Sequence, residues 1–325
     1  MAEGIPVTVL TGFLGAGKTT LLNQWLTEYP RGDVAVVVNE HGEAGIDGEL
    51  LAARVRTLVE ITGGCVCCTT QNDLVRTLGE LSSRQPPFTR IFVETSGAAS
   101  PAGVLRAIAR AQTAPALVLD GVVTVVDGTR SSVLEEHELA VEQVGFADVI
   151  VLTRADACDA EALSRAEHSV AVWNGAAVIC SAARGELAGS QGGTLEALLA
   201  RRQADLPSPR PVVPATRASH VYESVSLQLD GEVCGERFAE FVETELGQLA
   251  GRLLRTKGIL AVEGVEARMI LQGVADLVEL TFGDAWGSAR PTSRLVVVGF
   301  GLDRNALAEA FARCAARSVA PGPLP

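Results

Sequence analysis

The chain has 325 residues, of which 47% are apolar and 20% are charged, and its formal net charge is −12. This balance is typical of a globular protein with one or two cores, and the acidity argues against a surface built to bind nucleic acid. No signal peptide and no run of about 18 apolar residues is evident, so we expect a cytoplasmic protein that does not span a membrane. Seven cysteines in such a chain favour free thiols or metal ligands over disulfides.

Short apolar runs alternate with helical stretches through the first two thirds of the chain. Continuous β-branched runs separated by helices indicate a mainly parallel sheet covered on both faces. A helix is predicted over 19–29. The predicted strands are 5–10, 34–38, 91–93, 122–126, 149–152 and, as the last strand, 178–180.

A proline-rich segment, 205–219, divides the sequence. Its four prolines predict a stiff, extended linker. We therefore expect an α/β domain over 1–204 and a small α+β domain over 220–325. In the second domain the pattern predicts strands at 221–229, 259–262, 267–271, 277–280 and 295–300 and helices at 236–246 and 304–317.

Residues 12–19, GFLGAGKT, fit the phosphate-loop pattern G-x-x-x-x-G-K-[ST] between a predicted strand and a predicted helix. Glycines let backbone N–H groups turn inward around phosphate oxygens, and the helix N-terminus adds a favourable dipole. Lys18 is expected to reach the β- and γ-phosphates, and Thr19 to hold Mg²⁺. The candidate nucleotide contacts are Gly12, Phe13, Leu14, Gly15, Ala16, Gly17, Lys18, Thr19 and Thr20.

Phosphoryl transfer assisted by Mg²⁺ needs carboxylates near the ends of neighbouring strands. Glu94 follows the strand 91–93 in an E-x-x-G arrangement, where it can hold a magnesium-bound or an attacking water while the Gly97 N–H senses the γ-phosphate. Asp127 also ends a predicted strand, and a catalytic carboxylate and a loop-capping carboxylate are both compatible with its position.

The glycine-rich segment 41–48 follows another predicted strand and is a natural switch loop, ordered by γ-phosphate and released on hydrolysis. Glu40 immediately before it, or Asp47 within it, is a candidate for the Mg²⁺ shell, and Glu40 is a candidate catalytic residue.

The segment TRAD after the strand 149–152 is the candidate base-recognition loop. Asp156 is suited to pair with the N1 and N2 hydrogens of guanine, while Arg154 after Thr153 can lay its planar stem over the base. Ser181 and Ala182 follow the predicted last strand and can offer an N–H to the guanine oxygen. The alternative interpretation is an ordinary polar loop.

A trio of thiols, Cys65, Cys67 and Cys68, lies in GGCVCC. Thiolates select soft or borderline metals such as Zn²⁺ and Cu(I), and three ligands leave a position open for exchange. The candidates for a fourth ligand are Glu43, Glu40, His41, water or a partner. Buried small side chains and a redox sensor are the alternatives. His137, in EEHE, is either a weak metal ligand or part of a solvated helix face.

Together these segments resemble the CobW-like metallochaperone P-loop GTPases, particularly the YjiA type. The resemblance spans nearly the whole chain. It rests on TGFLGAGKTTLLN, VNEHGEAGIDGELL, GGCVCC, VETSGAASP, LDGVVTVVD, EQVGFADVIVLTRAD, LLRTKGIL and the stretch from Trp286 to RLVVVG.

The resemblance implies a GTPase domain of the SIMIBI branch, a CobW-type C-terminal domain and slow hydrolysis of GTP to GDP and phosphate. It also implies Zn²⁺ or Co²⁺ at Cys65, Cys67 and Cys68, with Glu43 as a helper. In such proteins the metal motif lies between phosphate loop and switch. Three positions depart from the family's pattern: Arg154 replaces the usual Lys, Ser100 the usual Asp, and His41 the usual Phe.

Three functional hypotheses follow. The first is a GTP-hydrolysing metallochaperone that delivers a metal to a client metalloprotein, with a homo-oligomer left open. The second is a nucleotide-switched activator that docks on a metalloenzyme and carries no metal of its own. The third is a redox-regulated NTPase in which Cys67 and its neighbours respond to oxidant.

Overall fold

A computed structural model describes residues 4–30, 32–40, 57–62, 69–111, 117–187, 194–204, 222–275 and 277–316. The chain divides into two compact units, Met1–Pro207 and Ser208–Pro325. The whole of the predicted linker 205–219 lies outside the described residues. Each unit has its own sheet and its own core.

The first unit is an eight-stranded sheet with helices, in the order β3-β2-β4-β1-β5-β6-β7-β8. All neighbouring pairs are parallel except β7 with β8, which confirms the predicted mainly parallel α/β fold. The elements are β1 (Ile5–Thr11), α1 (Lys18–Trp25), β2 (Val34–Glu40), β3 (Thr57–Thr62), α2 (Thr69–Ser82), β4 (Arg90–Thr95), α3 (Ala102–Ala111), β5 (Leu117–Asp127), α4 (Val133–Glu136), α5 (Glu138–Gly145), β6 (Val149–Thr153), α6 (Ala160–Trp173), β7 (Val178–Ala183), β8 (Glu186–Leu187) and α7 (Leu195–Ala204).

The central position of β1 determines what surrounds its C-terminal end. Val7 and Val9 on this strand are fully buried, as expected for a strand covered on both faces. Leu10 pairs with Glu94 of β4 on one side and with Val123 of β5 on the other. The carboxyl ends of β4 and β5 therefore flank the segment that follows β1, which is where open parallel sheets bind their ligands.

Two details of the first sheet differ from the sequence prediction. β3 was not predicted. β7 is not the last strand, because the two-residue β8 returns antiparallel to it through a tight turn. That turn needs Arg184 and Gly185 in the left-handed region, with φ of 51° and 87°. The first helix also ends earlier than predicted, at Trp25, and continues as a 3₁₀ turn, Leu26–Glu28.

The second unit is a five-stranded antiparallel sheet in the order β12-β11-β10-β13-β9, with two helices. Its core joins Leu227, Leu260 and Leu295 of the sheet to a cluster formed by Phe238, Phe241 and Phe311 of the helices. This is the predicted α+β arrangement. The elements are β9 (Glu223–Asp230), α8 (Gly235–Phe241), which runs on into a π-helical turn (Val242–Leu246), β10 (Leu253–Leu260), β11 (Ala267–Val274), β12 (Leu277–Ala285), β13 (Thr292–Gly299) and α9 (Arg304–Arg313). Among the helices within the described ranges, none has the length and apolarity needed to cross a membrane.

Candidate functional site

The glycine-rich segment 12–17 connects β1 to α1 and closes tightly over the sheet. Gly12 has φ of 140°, and any β-carbon at this position would collide with the carbonyl oxygen of Val125 on β5. Gly17, with φ of 98°, is the N-cap of α1. Only glycine meets both demands, so these two positions fix the path of the loop.

The carbonyl groups of this loop are held by identifiable donors. Lys18 Nζ donates to Gly12 O at 2.9 Å, and Ala16 N donates to Phe13 O at 3.2 Å. Thr153 Oγ1 donates to Ala16 O at 2.6 Å. Because the carbonyl and N–H of one peptide point in opposite directions, holding the Ala16 carbonyl against Thr153 turns the Gly17 N–H toward the inside of the loop. An inward-facing N–H at a helix N-terminus can help to hold an anion.

A hydroxyl and a carboxylate meet at the start of α1. Thr19 Oγ1 donates to Glu94 Oε1 at 2.9 Å, and Glu94 is only 5% exposed at the end of β4. Two hard oxygen ligands beside the glycine-rich loop suit Mg²⁺, which binds carboxylate, hydroxyl, water and phosphate oxygens. The donor set therefore fits the predicted magnesium site.

The turn after β4 lies directly against the glycine-rich loop. A β-carbon on Gly97 would stand 2.8 Å from Leu14 N, so only glycine allows this approach. Gln143 of α5, which is fully buried, donates through Nε2 to Ala99 O at 3.1 Å and to Gly97 O at 3.3 Å. Gln143 was not predicted as a site residue, although an amide within the otherwise apolar part of the helix ELAVEQVG was a signal for it.

Ser100, at one of the positions that depart from the family's pattern, caps the start of α3. Its Oγ accepts a hydrogen bond from Ala102 N at 3.2 Å and donates to Glu142 Oε1 at 2.6 Å. The turn from Gly97 to Ser100 is therefore joined to α5 by two consecutive side chains, Glu142 and Gln143.

The TRAD segment begins at the end of β6, beside the glycine-rich loop. Arg154 has φ of 56°, and its Nη1 lies 2.6 Å from Asp127 Oδ2 while its Nη2 donates to Gly15 O at 3.2 Å. Asp127 Oδ1 accepts from both Thr129 N and Thr129 Oγ1. Asp127 therefore caps its own loop, one of the two roles predicted for it, and also pairs with Arg154.

Asp156 lies in the 3₁₀ turn Ala155–Ala157 and faces Arg184 of the β7–β8 turn, with Nε and Oδ2 separated by 3.8 Å. Ser181 of β7 pairs with Leu152 of β6, so the base-loop residues predicted on β6 and β7 lie at one edge of the sheet. A β-carbon on Gly185 would lie 3.2 Å from Thr20 O of α1. The structure thus brings Arg184 into a site where the sequence analysis did not place it.

Carboxylates concentrate around the TRAD segment. Burial raises the pKa of the Cys158 thiol, and the nearby charges of Asp127, Asp159 and Asp156 raise it further. A negative potential at this edge of the sheet disfavours thiolate formation, and it suits ligands that present N–H donors.

His137 is exposed and immediately precedes α5. Its ring stacks on Phe13 of the glycine-rich loop, with centroids 4.6 Å apart and an interplanar angle of 22°. Within the described ranges, no group of three or more His, Cys, Asp or Glu side chains is arranged to hold a metal ion. A mostly apolar cavity of about 170 Å³ is lined by residues that include Phe13, Leu14, Val125, Asp127 and Gln143.

The predicted thiol site lies outside the described residues. This applies to Cys65, Cys67, Cys68, Glu43, His41 and Asp47, and also to the side chain of Glu40. The strands that precede the two undescribed segments, β2 before 41–56 and β3 before 63–68, are described up to their last residues. Thr62 of β3 pairs with Glu40 of β2, and Asn39 pairs with Thr95 of β4, so these three strands end at one edge of the sheet.

The chain is similar to known proteins both in sequence and in fold. The model of the CobW/HypB/UreG nucleotide-binding domain matches residues 6–181, and the model of the cobalamin synthesis protein CobW C-terminal domain matches residues 222–315. Two curated relatives align over almost the full length. The zinc chaperone CobW of Pseudomonas aeruginosa is 35% identical, covering 94% of this chain and 90% of that protein. The zinc chaperone YjiA of Escherichia coli is 31% identical, covering 95% and 98%.

Among solved structures, the Zn(II)-bound YjiA GTPase from E. coli superposes with a TM-score of 0.67 at 25% sequence identity. The alignment covers 96% of this chain and 99% of the other. The similarity therefore extends through both units of the chain.

Proposed function

The chain belongs to the CobW/HypB/UreG family of nucleotide-binding proteins, and from that premise we propose that it is a GTP-hydrolysing metallochaperone. We propose that it binds a transition metal, Zn²⁺ foremost, at Cys65, Cys67 and Cys68 and delivers it to a client metalloprotein. The nucleotide-binding part of this proposal rests on the hydrogen bond between Thr19 and Glu94 where the glycine-rich loop enters α1.

The triphosphate is proposed to lie in the loop 12–19. Gly12 and Gly17 hold the loop open to an anion, and Lys18 adds a positive charge that can move from the Gly12 carbonyl to a phosphate oxygen. Thr19 and Glu94 are the residues that would hold Mg²⁺, which when bound neutralises charge on the phosphates. Gly97, packed against Leu14, would present its N–H to the γ-phosphate.

Hydrolysis is proposed to depend on Glu94, with Glu40 as the second candidate. A carboxylate buried at the loop can orient a water for in-line attack on the γ-phosphorus, and Lys18 stabilises the negative charge that spreads over the transferring oxygens. Gln143 supports this geometry because it holds the carbonyls of the Gly97 turn.

Guanine is the proposed base. Asp156 is the side chain proposed to pair with its N1 and N2 hydrogens, and Ser181 and Ala182 are proposed to contact its oxygen. Thr153 and Arg154 both donate to loop carbonyls, so they connect the base-recognition segment to the phosphate loop.

Coupling between nucleotide and metal is supported by the register of the sheet. The segment 63–68 follows Thr62, which pairs with Glu40, and β2 pairs in turn with β4. At about 4.8 Å between strands, Thr62 is anchored roughly 10 Å from the end of β4, which carries Glu94. Glu43, proposed as a further metal ligand, lies within the proposed switch segment 41–48. We propose the same domain limits as in the sequence analysis: 1–204, 205–219 and 220–325.

The decisive experiment is a Zn²⁺ titration of the full chain under reducing conditions, with GDP and with a non-hydrolysable GTP analogue, each with Mg²⁺. A metallochaperone cycle predicts one Zn²⁺ per chain and a clear change in Zn²⁺ affinity between the two nucleotides. Equal titrations would refute the coupling.

A matched control separates metal carriage from a purely nucleotide-switched activator. The triple variant Cys65→Ser, Cys67→Ser, Cys68→Ser should lose the Zn²⁺ site and retain guanine-nucleotide binding. If client activation persists in that variant, the protein does not carry the metal and the proposal is wrong in that part.

A further inference from the structure

The guanidinium of Arg154 is held between two partners that lie on different loops. Nη1 lies 2.6 Å from Asp127 Oδ2, and Nη2 donates to Gly15 O at 3.2 Å. The Asp127 side chain is 9% exposed, and that of Arg154 is 52% exposed. A planar guanidinium makes both contacts from two nitrogens in a fixed fork, which the single nitrogen of a lysine does not reproduce.

The Asp127 carboxylate is itself oriented, because its two oxygens have different partners. Oδ1 accepts from Thr129 N at 3.0 Å and from Thr129 Oγ1 at 2.7 Å, whereas Oδ2 faces Arg154. Asp127 also pairs with Thr153 at the ends of β5 and β6. Asp127 is therefore fixed at the end of β5, beside Thr153, the residue that precedes Arg154.

The contacts of Arg154 and Thr153 fall on consecutive peptides of the glycine-rich loop. Arg154 holds the carbonyl of Gly15, and Thr153 holds the carbonyl of Ala16 at 2.6 Å. The peptide that joins Gly15 to Ala16 directs its N–H to Phe13 O at 3.2 Å, and the next peptide carries the Gly17 N–H. Removing the donor to Gly15 O therefore loosens the turn that leads into the Gly17 N–H.

We propose that Asp127 is a positioning residue for nucleotide binding, which acts through Arg154 on the Gly15 peptide and joins the base-recognition loop to the phosphate loop. The inference rests on the proposed function, and it assigns Asp127 a role without contact to the nucleotide. Asp127 is proposed to stabilise the bound nucleotide equally in the ground state and in the transition state. Loss of its carboxylate should therefore raise KM for GTP and Kd for GDP and change kcat little.

The test compares four variants of the full chain in GDP binding and in steady-state GTP hydrolysis. Asp127→Asn keeps one oxygen for Thr129 and replaces the oxygen that faces Arg154 by an NH₂ group. Arg154→Met removes the fork, and the double variant measures their coupling. Thr129→Val is the matched control, because it removes a partner of the other carboxylate oxygen and leaves the fork in place.

Asp127→Asn and Arg154→Met should each raise Kd for GDP and KM for GTP about fivefold, with kcat within about twofold of wild type. The double variant should be no weaker than the weaker single variant, and Thr129→Val should bind GDP within about twofold of wild type.

Three results would overturn this inference without touching the proposed function, and the first two concern single variants. One is wild-type GDP affinity in Asp127→Asn, and the other is an equal loss in Thr129→Val, which would reduce Asp127 to a loop cap. Additive losses in the double variant would likewise show that Asp127 does not act through Arg154. A wild-type protein that binds no guanine nucleotide would overturn the proposed function together with this inference.

Discussion

Thr19 and Glu94 are 75 positions apart in the chain, and their side chains meet in a 2.9 Å hydrogen bond where the glycine-rich loop enters α1. Because β4 pairs with β1, the carboxylate of one strand end faces the hydroxyl that follows the other. This pair is the part of the candidate site on which the proposed hydrolysis depends most directly.

Replacing Glu94 by Gln should slow hydrolysis and spare binding. The amide keeps an acceptor for Thr19 and loses the charge that orients water, so we expect kcat for GTP to fall roughly 10²-fold with Kd for GDP within about threefold. Single-turnover hydrolysis and GDP titration measure the two quantities. An unchanged kcat in Glu94→Gln would exclude Glu94 from the chemical step and leave Glu40 as the candidate.

The two glycines at positions 12 and 15 should respond differently to alanine. Gly12→Ala puts a methyl group against the Val125 carbonyl, so the loop must move away from β5 and guanine-nucleotide affinity should fall at least about tenfold. Gly15, with φ of 72°, has nothing within 4 Å of an added β-carbon. Gly15→Ala should therefore cost only the left-handed backbone strain, about 1–2 kcal/mol.

Nucleotide titration together with thermal unfolding checks this pair of variants. Equal affinity in Gly12→Ala and wild type would contradict the steric argument, since the clash is with backbone and not with a movable side chain.

The free energy of unfolding of the first unit should depend slightly on pH because of Glu28. Burial raises the pKa of Glu28 and the charge of Glu196 adds to the rise, while the hydrogen bond from Leu195 N lowers it. The pKa of Glu28 is higher in the folded state than in the unfolded state, so protonated Glu28 favours folding. This contribution to the free energy of unfolding is fully present below the unfolded-state pKa and is lost as the pH rises through the folded-state pKa. At neutral pH the ionised Glu28 is therefore slightly destabilising.

Glu28→Gln should raise the unfolding free energy at pH 7 by no more than a few tenths of a kcal/mol, since the group is partly solvated. The gain should shrink as pH falls toward 4, because wild-type Glu28 is then protonated. Urea unfolding at several pH values tests this, with the exposed Glu135→Gln as control. A gain that grows on acidification would reverse the assigned sign.

Two thiols of the second unit should differ in reactivity. Hydrogen bonds from Arg237 lower the pKa of Cys234, whereas burial raises the pKa of Cys314 to about 11. Because the thiolate is the nucleophile, iodoacetamide at pH 8 should alkylate Cys234 well before Cys314. Peptide mass spectrometry resolves the two sites, and Arg237→Met should slow alkylation of Cys234, because the hydrogen bond from the Arg237 side chain is lost. Faster labelling of Cys314 would contradict the assignment.

The sequence predicted the elements of the site better than their contacts. The loop 12–19 was recognisable because its spacing follows from the geometry of one turn between a strand and a helix. The continuous apolar run 122–126 likewise predicted a buried strand. Asp127 was predicted at its end, but whether it capped a loop or served another partner could not be determined from local pattern.

The missed contacts are those that depend on strand order. Gln143 reaches Gly97 across 46 positions, and Arg184 reaches Asp156 only because a short hairpin follows β7. Periodicity reports which face of an element is apolar, but not which element lies opposite it. The strand β3 was overlooked because its TLVEIT segment is short and only partly apolar.

The short helix α5 touches the glycine-rich loop at one end and the Gly97 turn at the other. His137, its N-cap, stacks on Phe13, while Gln143 near its C-terminal end holds the backbone of Gly97 and Ala99. Eight residues of helix span only about 12 Å, so α5 works as a stiff strut between the two. A shift of the Gly97 turn therefore either breaks the hydrogen bonds of Gln143 or displaces α5. A displacement of α5 would move His137 against Phe13, so the turn and the glycine-rich loop are connected by a route that does not include a bound nucleotide.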